Sequence, residues 1–198
     1  MDVNDNAAMD LVDLYQRACR EFAGRVPAVG DQWDSPTPCA GWDVRTLVNH
    51  IVYEDRWTAP LIDGQTIAEV GDRFEGDLLG NDPVGACKDA VEEAMASVSG
   101  PGALDRTVHL SFGETPAEEY VWQLLADHLI HAWDLARAIG ADDRLDPELV
   151  AACTPWFAER EDLYRAGGVV GPRPPTDAGA DPQTLLLAAF GRRADWSA

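Results

Sequence analysis

Apolar residues recur at spacings of three and four along most of this chain, and alternation is confined to one short stretch. Leu11, Leu14, Tyr15, Ala18, Phe22 and Val26 form one such stripe, with Asp13, Arg17, Arg20 and Glu21 on the opposite face, which predicts an amphipathic helix over Ala8 to Val26. Pro36 and Pro38 break the segment from Asp34 to Trp42. Asp43 is placed to cap a second helix, since a carboxylate there accepts the free amides of the first turn, and Val44, Leu47, Val48 and Ile51 then face inward. His50 and Glu54 flank that face. Between Ile62 and Asp82, Gly64, Gly71, Gly76 and Gly80 predict a loop with one short helix. Pro83 suits a first helical turn, and Ala86, Cys87, Ala90, Val91, Ala94 and Val98 predict a third long helix.

Weak alternation from Arg106 to Gly113 predicts a short strand or an extended loop. Thr115, Pro116, Ala117 and Glu118 read as a capping box with proline at the first helical position, launching a helix to about Ile139 that stops before Gly140. That helix is apolar nearly all round, as a central element should be. Asp146, Pro147 and Glu148 open a further helix expected to reach Tyr164. A loop follows over Gly167 to Asp181, then a terminal helix over Gln183 to Phe190. The pattern predicts an all-α fold, and 198 residues suit a single domain over residues 1–198.

Charge narrows the partners. Fifteen basic residues against thirty-five acidic ones give a net charge of -20 and a pI near 4.3, so the surface repels phosphate backbones and anionic lipid. Nucleic acid and membrane are not expected partners. No apolar run approaches the roughly 18 residues that a membrane span needs, and Met1 to Asn6 lacks the basic and apolar regions of a secretory signal. A cytoplasmic protein is expected. Cys19, Cys39, Cys87 and Cys153 are scattered, which fits small residues in a reduced core better than a zinc knuckle or a disulfide scaffold. Cys39 could be a reactive thiol, but no neighbouring base is evident and core packing is favoured.

The central helix carries the chemistry. At about 100° per residue, Gln123, Asp127, His131 and Asp134 fall on one narrow polar stripe. A buried carboxylate left unpaired costs several kcal/mol or more, so the stripe needs a charged partner, a metal or a water-filled cavity. Asp127 and His131, one turn apart, can converge on one ion. His128 and His131 could also converge, yet His128 points into the apolar face and reads better as a core histidine sharing one hydrogen bond. Of the remaining histidines only His50 sits on an inward-facing helix, His109 lying in the extended segment. His50, Asp127 and His131 are therefore the candidate ligands. Two imidazoles and a carboxylate suit Zn, Ni, Fe or Mn, and three protein ligands leave positions open for water or substrate. The competing reading is a hydrogen-bonded core network of the same residues. Glu54, one turn after His50, is a candidate general base or further ligand, or else an exposed helix carboxylate. Asp134 could orient a ligating histidine. Trp33, Trp42 and Trp57 lie near enough to His50 in sequence to wall a pocket.

Three segments carry a family likeness: Thr37 to Arg45 leading to Leu47, Val48, Asn49 and His50; His131, Ala132, Trp133, Asp134, Leu135 and Ala136; and Leu186 to Arg192. In combination they resemble the DinB-like metal-binding proteins related to mycothiol-dependent maleylpyruvate isomerase, a family typical of actinobacteria. The resemblance implies a DinB-like four-helix bundle holding a divalent ion through one histidine of the second helix and an acid-xxx-histidine pair of a later one, which are His50, Asp127 and His131 here. The isomerase carries glutamate at the position of Asp127, so the ion is expected to sit differently here or to meet Asp127 through water. The chain is also expected to lack the isomerase's fuller C-terminal extension. For such members the resemblance implies a metal that activates mycothiol as cosubstrate, for S-transfer to a small electrophile or for isomerisation. Any anionic substrate would need local arginines, with Arg45 and Arg56 as candidates. The alternative is a non-catalytic metal- or small-ligand-binding protein of the same fold. Bundles of this kind often dimerise, so a homodimer is a further expectation.

Overall fold

The computed structural model describes residues 10–197. Residues 8 and 9 of the first expected helix, and the polar start from Met1 to Asn6, lie outside the described residues. Among the described residues, eight helices and one two-stranded sheet follow in the order α1 (Leu11–Arg25), α2 (Val44–Ile62), α3 (Ile67–Val70), α4 (Pro83–Val98), β1 (Thr107–Leu110), β2 (Gly113–Pro116), α5 (Ala117–Ile139), α6 (Pro147–Ala158), α7 (Glu161–Ala166) and α8 (Pro182–Ala189). A 3₁₀ turn, Val26–Val29, extends α1. The fold is mainly helical.

Helix α1 packs along α5 and α2 along α4, while α1 also meets α4 and α2 also meets α5. Their shared core holds Tyr15 and Phe22 from α1, Leu47 and Ile51 from α2, and Leu125, Leu129 and Leu135 from α5, all essentially inaccessible. Truncating one of them, such as Leu129→Ala, removes transfer energy and leaves a cavity, a cost of about 2–5 kcal/mol. Gly140 closes α5 in the left-handed region (φ 69°), and its N–H returns to the Ala136 carbonyl as the stop signal predicted. No helix among the described residues is long and apolar enough to cross a membrane.

Two expectations are corrected. The extended segment is a strand with a partner: β1 pairs antiparallel with β2, Val108 opposite Thr115 and Leu110 opposite Gly113. Thr115 is thus buried in the ladder and makes no capping box, and Pro116 is the residue before the first helical turn, without a side-chain cap. The hairpin continues into the helix start, where the Ala117 amide donates to the Arg106 carbonyl at 2.9 Å. The helix expected from Pro147 to Tyr164 is interrupted after Ala158. Arg160 lies in the turn between the two helices (φ -119°) while its guanidinium grips the Glu119 carboxylate of α5 at 2.7 Å and lies over the Trp156 ring. A bidentate, partly buried pair outweighs one continuous helical turn.

Candidate metal centre

Helices α2 and α5 bring the three expected ligands to one point. The Asp43 carboxylate accepts the Thr46 amide at 2.7 Å and so starts α2 in the register that turns His50 toward α5. His50 Nε2 lies 3.0 Å from one Asp127 oxygen, and His131 Nε2 lies 3.3 Å from the other. Ligand atoms of all three lie within 4.8 Å of one another. Aspartate here reaches both imidazoles despite being a methylene shorter than glutamate.

A buried layer holds His131 in place. Its Nδ1 is 2.9 Å from an oxygen of Asp134, which has no solvent exposure. Arg192, after α8, donates to Asp134 at 2.8 Å and to the Cys39 sulfur at 3.0 Å, and the Cys39 thiol donates to Asp134 at 3.1 Å. The indole of Trp42 stacks on His131 at 5.8 Å and tilts over His50 at 5.0 Å. Burial opposes charge on Asp127 and His131 alike, yet the two imidazoles outweigh it and hold the carboxyl of Asp127 well below its ordinary range. Asp127, with Asp134 and Cys39, likewise holds His131 above its ordinary range. In the metal-free protein, protons therefore occupy the place that an ion would take.

Cys39 packs against the core as expected, and its half-buried thiol also lies beside His131. Its partner Arg192 is 153 positions away in sequence, so no local pattern announces the contact. Arg45 and Arg56 face elsewhere, bonded to Asp77 and Glu93 respectively. The basic residue at the site is Arg192. Of the tryptophans, Trp42 covers the histidines and Trp57 lines a neighbouring groove, while Trp33 packs against the core. His128 is fully buried away from this point, as its position on the apolar face predicts.

Glu54 is not an exposed carboxylate. It is partly buried and lines a groove of about 240 Å³ together with His50, Asp127, Tyr120, Gln123 and Tyr164. Burial pushes its carboxyl up to about 7, with Asp127 raising it further and His50 opposing. Through Glu54, Tyr120 and Gln123 this groove continues into a second, of about 340 Å³, walled by Trp57, Leu61 and the exposed Phe112 of the hairpin turn. A polar point thus opens onto an apolar channel.

The donor set suits a divalent ion. Asp134 can accept the Nδ1 proton of His131, so that when an ion replaces the Nε2 proton the lone pair freed there faces the ion beside Asp127, the tautomer a metal requires. Two imidazole nitrogens and a carboxylate, with a groove beside them, leave room for an exogenous ligand.

Comparison with known proteins identifies the family. The model of the mycothiol maleylpyruvate isomerase N-terminal domain matches residues 15–136, from the middle of α1 almost to the end of α5, and the chain belongs to that family. Two uncharacterized proteins of Mycobacterium tuberculosis, MT0763 of strain CDC 1551 and Rv0738 of strain H37Rv, are each 33% identical to it over 170 residues, covering 83% of this chain and 82% of theirs. No solved structure matches the chain significantly.

Proposed function

We propose that this protein is a divalent-metal-dependent, thiol-dependent S-transferase or isomerase with the DinB-like four-helix bundle, mycothiol being the cosubstrate and a small electrophile the substrate. The observation that carries it is the meeting of His50, Asp127 and His131 at the mouth of a groove that also holds Glu54. His50, Asp127 and His131 hold the ion, and Asp134 orients His131. Bound there, a divalent ion lowers the pKa of a coordinated thiol so that thiolate exists at neutral pH. Glu54, whose carboxyl titrates near neutrality, accepts the thiol proton on a carboxylate oxygen. The sulfur forms a bond to the electrophilic carbon; in S-transfer the bond to the leaving group breaks and Glu54 returns the proton to that group, whereas in an isomerisation the adduct rotates about the former double bond, the carbon–sulfur bond breaks again, and Glu54 returns the proton to the released thiolate. The Tyr120 hydroxyl, buried and without a hydrogen-bond partner among the described residues, and Gln123 offer hydrogen bonds to the electrophile. Trp57 and Phe112 shield an apolar portion of it.

The test is thiol consumption by the metal-loaded protein, with mycothiol and a panel of small electrophiles, before and after chelation. Turnover that stops on chelation supports the proposal. A protein that binds no divalent ion, or turnover indifferent to chelation, overturns it. Metal bound without turnover of any thiol would instead mark the non-catalytic binding protein.

A further inference from the structure

A second cluster of metal-ligating residues lies inside the fold, apart from the groove. Cys19 of α1, Asp55 of α2 and His128 of α5 are all buried, and one ligand atom of each lies within 4.8 Å of the other two. We propose that these three residues form a structural site for a zinc-like ion in the core, completed by the second oxygen of Asp55. Helices α1, α2 and α5 would each contribute one ligand.

Three features support a ligand set over simple packing. His128 Nδ1 lies 2.8 Å from the Leu124 carbonyl one turn earlier, which commits a proton there, and Nε2 lies 3.2 Å from Asp55, where an entering ion would replace the proton that the two now share. Asp55 has no solvent exposure, and its Oδ1 makes no hydrogen bond of acceptable geometry with any described residue. A carboxylate so placed costs several kcal/mol unless a cation satisfies it; among the described residues the His128 imidazole, 3.4 Å from Oδ2, serves in part, and a divalent ion would reach Oδ1 as well. Finally, the pocket is closed. Tyr15 and Phe22 set their rings edge-on to His128 at 5.8 and 6.1 Å, and Cys19 has no solvent exposure.

The donors are those zinc prefers, a thiolate, an imidazole and a carboxylate. Zinc bonds of about 2.0–2.3 Å bring neighbouring tetrahedral donors closer than the 4.8 Å within which these ligand atoms now lie, so the three side chains would draw in around the ion. A site with no path to solvent and up to four protein donors binds no substrate. It loads as the chain folds, so binding energy becomes folding energy.

Cobalt reports on this site separately from the groove. The full chain is denatured, refolded with cobalt(II) alone, freed of excess ion, and examined by absorption and metal analysis. A variant lacking the groove ligands and its adjacent thiol (H50A, H131A and C39S together) is expected to retain one ion per chain with a thiolate-to-cobalt charge-transfer band. Adding Cys19→Ser is expected to abolish the band and to lower cobalt affinity at least tenfold. Absence of cobalt from the first variant overturns the proposal, as does a band that survives Cys19→Ser. Should Cys19→Ser fail to refold, the first variant still decides, one ion with the band supporting the site and none refuting it.

Discussion

The Nδ1 atom of His131 sits 2.9 Å from the fully buried carboxylate of Asp134, three residues further along the same helix. This contact selects which nitrogen of His131 faces Asp127 and His50, and Arg192 keeps Asp134 ionised from the other side. Replacing Asp134 with asparagine preserves its shape and removes its charge. We expect Asp134→Asn to weaken metal binding about 10–100-fold by chelator competition, the usual effect of losing a partner that orients a ligand. An unchanged affinity would show that His131 needs no such support.

Asp127 bridges both imidazoles through separate oxygens. Asp127→Glu supplies the residue that the resemblance associates with the isomerase, and it is expected to keep the ion with less than about a tenfold change in affinity. Asp127→Asn loses the negative charge and should bind at least tenfold more weakly. Isothermal titration of zinc into chelator-treated protein separates the two outcomes. Equal loss in both variants would contradict a direct role for the carboxylate charge.

Glu54 gives a pH signature. Its carboxyl titrates at about 7 in the folded protein against an ordinary 4.5, so the folded state binds the extra proton between those values. The resulting penalty is absent at low pH, grows as pH rises from 4.5 toward 7, and is full above that. In metal-free protein Glu54→Gln should therefore raise stability at pH 8 by about 1–2 kcal/mol after allowance for solvent screening, and leave it unchanged at pH 4. Denaturant melts at the two pH values read this directly. The same variant should slow metal-dependent thiol consumption about 10²–10⁴-fold if Glu54 carries the proton.

Asp43 supports the site from a distance. The Thr46 hydroxyl and amide hold its carboxyl below its ordinary 3.8, so its stabilising effect is full above that value and fades as pH falls through the lowered one. Asp43→Ala should cost about 1 kcal/mol at neutral pH. It should also loosen metal binding, because α2 carries His50. A variant with unaltered melting behaviour would remove the cap from this account.

Much of this arrangement was legible in the chain. The spacing of Asp127, His131 and Asp134 along α5 placed all three on one stripe, and Asp43, Pro83 and Gly140 marked helix ends where the structure has them. These signals are local, since a helix repeats within four residues and a cap acts within three. What was hidden depends on residues far apart. Cys39 meets Arg192 across the whole fold, Asp55 meets His128 from another helix, and the break at Arg160 is imposed by Glu119 of α5. The misplaced cap at Thr115 has the same origin. Its sequence suits a helix start, but pairing with Val108 claims it for the hairpin.

The central claim is that His50, Asp127 and His131 hold one divalent ion at the groove. The most direct test is metal content by mass spectrometry of purified wild-type protein beside His50→Ala and His131→Ala. Each variant is expected to carry one equivalent less per chain than the wild type, whatever the buried cluster retains. Equal metal content in all three proteins, or none in the wild type after zinc loading, would contradict it.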